Sequence, residues 1–109
     1  MRWIITRDVI GDEAHVVGAG KYPERDAVRN LTGEERKAAV ANVAKHERWK
    51  YEIRLSDDDG NLYYEGLVGD LDNASEGPAF APLDWAEANA GCTYMEYRRR
   101  GTNEKWKVL

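Results

Sequence analysis

The chain has one cysteine, two histidines, three prolines and one phenylalanine, and from residue 55 to residue 97 it has no lysine or arginine. Each scarcity excludes something. A lone Cys92 forms no internal disulfide, so nothing depends on an oxidising compartment. His15, His46 and Cys92 are the nitrogen and sulfur donors, and no two have ligand-like spacing, which leaves out structural zinc. No apolar run approaches the roughly 18 residues of a spanning helix. The opening Trp3-Ile4-Ile5-Thr6-Arg7 reaches charge too soon for a signal peptide, so cytoplasmic residence away from membranes is expected.

What is present is a chain of 109 residues, 42% hydrophobic, with four Trp, six Tyr and one Phe. That suffices for one folded domain over residues 1–109. The net charge of −4 conceals a segregation: residues 1–54 carry eleven basic and nine acidic side chains, and residues 98–109 carry five and one. The stretch between them holds ten carboxylates: Asp57, Asp58, Asp59, Glu65, Asp70, Asp72, Glu76, Asp84, Glu87 and Glu96. Such asymmetry speaks to partners and solubility rather than to fold.

Trp3 to Thr6 reads as a short buried strand, and residues 11 to 30 as a brief strand over Ala14 to Val17 followed by loop. Thr32-Gly33-Glu34-Glu35 has capping-box spacing, so a helix is predicted over about residues 33–46. Its narrow stripe is Ala39, Val40, Val43 and Ala44, and Lys45 and His46 suit the negative end of its dipole. Arg48 to Leu55 alternates, with Trp49, Tyr51, Ile53 and Leu55 on one face. Asp57 to Gly60 then makes a hairpin turn into Leu62 to Glu65, and closure by Ser56 and Asn61 sets Leu55 opposite Leu62 and Ile53 opposite Tyr64.

After a long loop from Gly69, Pro82 to Glu87 suggests one helical turn capped by Asp84 and stopped near Gly91. Cys92 to Tyr97 and Lys105 to Leu109 form a second hairpin. Pairing Arg99 with Glu104 places Tyr97 against Trp106, Met95 against Val108 and Glu96 against Lys107. The expected class is α+β: a four- to five-stranded, mainly antiparallel sheet with one main helix packed on one face. The run Phe80-Ala81-Pro82-Leu83-Asp84-Trp85, then Asn89 to Thr93 and a terminal hairpin ending in Trp106, resembles small uncharacterised proteins of bacteria and their phages or mobile elements. The opening Trp3-Ile4-Ile5-Thr6 and the hairpin from Asp58 to Gly66 fit the same likeness, which brings no activity with it.

The chemical motifs that come nearest to a pattern fail on spacing. Asp57-Asp58-Asp59-Gly60 lacks the ligand order of a calcium loop, and Asp70, Asp72 and Glu76 lack its glycine, so no metal is expected. Val17-Gly18-Ala19-Gly20-Lys21 is followed by Tyr22-Pro23 where a phosphate loop needs Ser or Thr. Cys92 with a histidine would make a nucleophile and base, but a cysteine opening a strand is more simply a core residue. Asp84 and Glu87 have the spacing of a helix cap before that of an acid–base pair. Arg98, Arg99, Arg100, Lys105 and Lys107 could hold phosphates, yet they form one hairpin end on an acidic protein, which argues against nucleic acid as the partner.

The reading that remains is a non-enzymatic interaction protein with no cofactor, using an acidic surface to bind a basic protein partner. Its specific form is a phage or mobile-element inhibitor of a host defence complex that handles nucleic acid. Ten carboxylates match the phosphates on about 17 Å of duplex. Structural roles for Asp84 and Glu87 at a helix cap and for Glu96 in a cross-strand pair narrow the candidate binding residues to Asp57, Asp58, Asp59, Glu65, Asp70, Asp72 and Glu76. The alternative is a small enzyme or ligand-binding domain with a pocket near residues 69–92, in which Asp70, Asp72, Asp84, Trp85 and Cys92 would be lining residues.

Overall fold

The computed structural model describes residues 3–9, 33–69, 71 and 79–109. In chain order the elements are β1 (Trp3–Asp8), α1 (Gly33–Ala44), β2 (Tyr51–Ser56), β3 (Leu62–Val68), α2 (Ala81–Ala90), β4 (Tyr94–Arg99) and β5 (Lys107–Val108). The strands make one antiparallel sheet in the order β1-β3-β2-β4-β5. With two helices against it, the fold is α+β, as the pattern predicts. The expected strand at Ala14 to Val17 and the Thr32 cap lie outside the described residues.

Strand alternation gives the sheet two different faces. One carries Trp3, Ile5, Tyr51, Ile53, Leu55, Tyr64, Val68 and Met95, all nearly inaccessible, and α2 adds Ala86 with Trp85 to this larger core. The Trp85 ring lies 4.9 Å from Tyr64 and 5.8 Å from Trp3, centroid to centroid, so three aromatics fix α2 to β1 and β3. The other face has its apolar cluster at the β1–β3 side. There Ile4 and Leu67 meet Val40 of α1 and Trp49, flanked by Ala39, Val43 and Ala44. The small side chains of the α1 stripe are what let a helix lie close to the strands.

α1 begins with Glu34 and Glu35 in its first turn, where carboxylates favour the positive end of the helix dipole. It ends two residues earlier than the pattern predicts, and Lys45 and His46 form the tight turn beyond it. The cation on its last carbonyls comes from elsewhere. Arg100 donates from Nη2 to the Ala44 carbonyl at 2.6 Å and from Nη1 to the His46 carbonyl at 3.2 Å.

The structure corrects four sequence expectations. Trp49 does not share a face with Tyr51, because β2 begins only at Tyr51; the indole turns toward α1, where Nε1 donates to the Val43 carbonyl at 2.8 Å. In the first hairpin Leu55 pairs with Tyr64 and Ile53 with Gly66, a two-residue shift that keeps every side chain on its expected face. A shift between Leu55 and Ser56 absorbs it, since the loop closes at Asp57 and Asn61 rather than at Ser56.

The second hairpin slips by one residue, pairing Tyr97 with Lys107 and Glu96 with Val108. A slip of one moves every β5 side chain to the opposite face. Leu109 then packs on the larger core, Val108 is 57% exposed, and Trp106 lands on the α1 side of the sheet. The expected Glu96–Lys107 pair gives way to Glu96–Arg54. Finally, α2 is a ten-residue helix rather than one turn. Buried Pro82 in its first turn starts it three residues ahead of Asp84, whose amide bonds back to the Phe80 carbonyl at 2.9 Å, so Asp84 is not the cap. The stop at Gly91 is as expected: its φ of 76° and its amide bond to the Glu87 carbonyl close the helix.

Candidate functional site

The carboxylates of the basic-free stretch sort into neutralised and un-neutralised groups. On the α1 side, one row across the strands reads Arg7, Glu65, Arg54, Glu96, alternating in sign. Arg54 holds Glu96 bidentately, Nε to Oε1 at 2.8 Å and Nη2 to Oε2 at 3.1 Å, while Arg7 reaches Glu65 at 3.3 Å. In the next row Arg98 bonds Glu52 at 2.6 Å. Trp106 lies over both arginines, each guanidinium carbon 4.4 Å from its ring. Glu65, a candidate for partner binding, is therefore a ladder member with an arginine on either side.

Asp57, Asp58 and Asp59 lie apart, at the β2–β3 tip. Asp57 organises it. Its Oδ1 accepts from the amides of Asp59 at 3.0 Å and Asn61 at 2.9 Å, and its Oδ2 from Asn61 Nδ2 and the Tyr63 hydroxyl, both at 3.1 Å. These bonds favour the ionised form, Asn61 contributing most, and hold the Asp57 carboxyl below its ordinary 3.8. The same carboxylate raises Tyr63 above 10.0, because the phenol must stay protonated to donate.

Asp58 accepts from the Thr93 hydroxyl, and the Thr93 amide donates to the Ser56 carbonyl at 3.0 Å. The tip is thereby latched to the chain entering β4. Gly60, with φ of 81°, makes the turn possible, and a Cβ there would meet no atom but an unfavourable backbone region. Asp58 and Asp59 are exposed, and among the described residues no lysine, arginine or histidine pairs with any of the three tip carboxylates. Asp70, Asp72 and Glu76 lie outside the described residues.

The residues offered for a pocket near 69–92 have other surroundings. Trp85 is packed between Trp3 and Tyr64, and Asp84 points to solvent on α2. Cys92 is fully buried, and burial pushes its thiol up to about 11, with the Asp57 charge adding in the same direction. Such a sulfur is a core atom. No group of three or more His, Cys, Asp or Glu able to hold a metal occurs among the described residues. None of the described helices is long and apolar enough to cross a membrane.

Sequence reasoning missed the far end of the sheet. A cleft of about 620 Å³ opens there between the turn after α1 and the β4–β5 loop, lined by Lys45, Glu47, Trp49, Lys50, Tyr51, Arg99, Arg100 and Thr102. These cations are scattered in sequence, so no local pattern could have gathered them. The Arg98 to Arg100 run was visible but divides: Arg98 joins the ladder, Arg100 braces α1, and Arg99 faces the cleft. Comparison with protein-family models, with curated proteins and with solved structures finds no match.

Proposed function

We propose that the chain is a non-enzymatic interaction protein that presents its β2–β3 tip, Asp58 and Asp59 foremost, to a basic protein surface. The observation that carries this reading is the sorting of carboxylates. Glu52, Glu65 and Glu96 each meet an arginine, whereas among the described residues the tip carboxylates meet none and are held in place by the hydrogen bonds of Asp57 and Thr93. A negative loop that is already ordered loses little conformational freedom on docking, which favours binding through it. Charge of one sign at a projecting tip also steers encounter with a surface of the other sign. Asp70, Asp72 and Glu76 extend the same proposal.

Its specific form is an inhibitor, carried by a phage or mobile element, that occupies a nucleic-acid site of a host defence complex. The test is a pull-down from bacterial lysate with the wild type, with Asp58→Asn/Asp59→Asn, and with Glu34→Gln/Glu35→Gln on α1 as control. The expected result is a protein partner held by wild type and control, lost with the tip variant, and displaced by duplex DNA. Partners retained equally by all three proteins would refute the tip as the docking element.

A further inference from the structure

We infer that the cleft at the opposite end of the sheet binds a multiply charged phosphate compound of nucleotide size or smaller. It is a second site, independent of the acidic tip. β2 runs from Tyr51 at the cleft to Ser56 at the tip, so the two are about 17 Å apart at the usual strand rise.

Lys45, Lys50, Arg99 and Arg100 line the cleft against one carboxylate, Glu47. Elsewhere on the sheet arginines are spent on partners: Arg7, Arg54 and Arg98 each hold a glutamate. Among the described residues none of the four cleft cations forms an ion pair, and Lys45, Lys50 and Arg99 are exposed. Four cations gathered around one carboxylate repel one another, and an anion of charge −2 or more relieves that repulsion.

The cleft is held by backbone and side-chain hydrogen bonds rather than formed by chance approach of side chains. Arg100 ties its two walls together. Its guanidinium takes the Ala44 and His46 carbonyls, and its amide donates to the Lys50 carbonyl at 2.9 Å. Those contacts answer the negative end of the α1 dipole, which would otherwise oppose an anion. Thr102 shapes the other rim: its hydroxyl donates to the Arg99 carbonyl at 2.7 Å and accepts from the Glu104 amide, and Gly101 turns the loop at φ of 75°. The cleft's aromatic lining residues, Trp49 and Tyr51, are both nearly inaccessible, so among its described residues no aromatic face is open for a base to stack on. Recognition therefore rests on phosphate. At about 620 Å³ the cleft falls in the usual range for small-ligand sites, and a single strand of nucleic acid would want a longer, aromatic groove.

Titration of isotope-labelled protein with pyrophosphate, and separately with tripolyphosphate and with ATP, at low ionic strength tests this. Saturable amide shifts are expected at residues 45–51 and 99–102 and not at the tip. Lys50→Glu/Arg99→Glu should weaken binding by about tenfold or more, as should the neutral Lys45→Gln/Lys50→Gln, while Lys105→Glu outside the cleft leaves it within about twofold. Equal affinity for ATP and for tripolyphosphate, which matches its phosphate chain, supports recognition by the phosphates; ATP binding about tenfold tighter than tripolyphosphate would overturn that assignment. No saturation up to about 10 mM of any of these ligands overturns the proposal, as does equal weakening by Lys105→Glu. A single-stranded oligonucleotide binding about tenfold tighter than ATP, with shifts spreading beyond the cleft, would overturn the small-molecule assignment.

Discussion

Cys92 is the only thiol in the chain, so its reactivity reports directly on whether the region after α2 is core or open site. It is fully buried, and its thiol is pushed up from 9.0 to about 11. At pH 8 that leaves about 0.1% thiolate, against about 9% for the same cysteine in the unfolded chain. The more basic thiolate is the stronger nucleophile and recovers roughly tenfold of that roughly hundredfold loss. Burial then adds the requirement that the core open before reagent enters. Alkylation with iodoacetamide, followed by mass spectrometry at pH 8, should therefore run at least about a hundredfold slower in native protein than in guanidinium. Native labelling within about threefold of the denatured rate would refute the placement and restore Cys92 as a candidate nucleophile.

The sign of the linked pH effect follows from the raised pKa. The protonated thiol favours the fold fully below pH 9, and that contribution is lost as pH rises toward about 11. Cys92→Ala should unfold less steeply over this alkaline window than the wild type.

Three further outcomes follow from named contacts. Gly66→Ala places a Cβ 2.3 Å from the Ile4 carbonyl oxygen, a backbone atom that cannot move aside, so thermal unfolding should show a loss of about 2–3 kcal/mol or failure to fold. Trp106→Ala removes the ring over Arg54 and Arg98, and should lower stability by about 1–2 kcal/mol in urea; Val108→Ala two residues on should stay within about 0.5 kcal/mol. Asp57 has its carboxyl depressed, so its support of the tip is present above pH 3.8 and lost as pH falls through its lower folded value. Tyr63 is raised, so its support is present below pH 10.0 and lost above; Asp57→Asn should return the Tyr63 absorbance titration toward 10.0 and speed exchange of the Asn61 amide.

The sheet was legible because its main signals are local. Alternation from Tyr51 to Leu55, the turn residues at Asp57 to Gly60 and the alanine-rich stripe of α1 each act within a few positions. Register was less legible, and the reason is physical. The first hairpin slipped by two and kept its faces, whereas the second slipped by one and turned Trp106 from expected core residue into the lid of the charge ladder. Nothing in residues 100–106 reveals that Thr102 bonds back to Arg99 and lengthens the loop. The candidate site was half legible: Asp57 to Asp59 form an acidic tip, but Asp57 serves the turn, and Glu65 pairs with Arg7, 58 positions away in sequence. Long-range pairing of that kind leaves no trace in local composition.

Among the described residues three consecutive carboxylates cluster at the tip without an ion pair, while the ladder carboxylates are paired with arginines. Titrating isotope-labelled protein with a short arginine-rich peptide tests this contrast most directly. Salt-reversible shifts are expected, centred on the amides of Asp58, Asp59, Gly60 and Thr93 and abolished by Asp58→Asn/Asp59→Asn, with Glu52, Glu65 and Glu96 unmoved. Shifts centred on those three glutamates, or spread evenly over every exposed carboxylate, would contradict it.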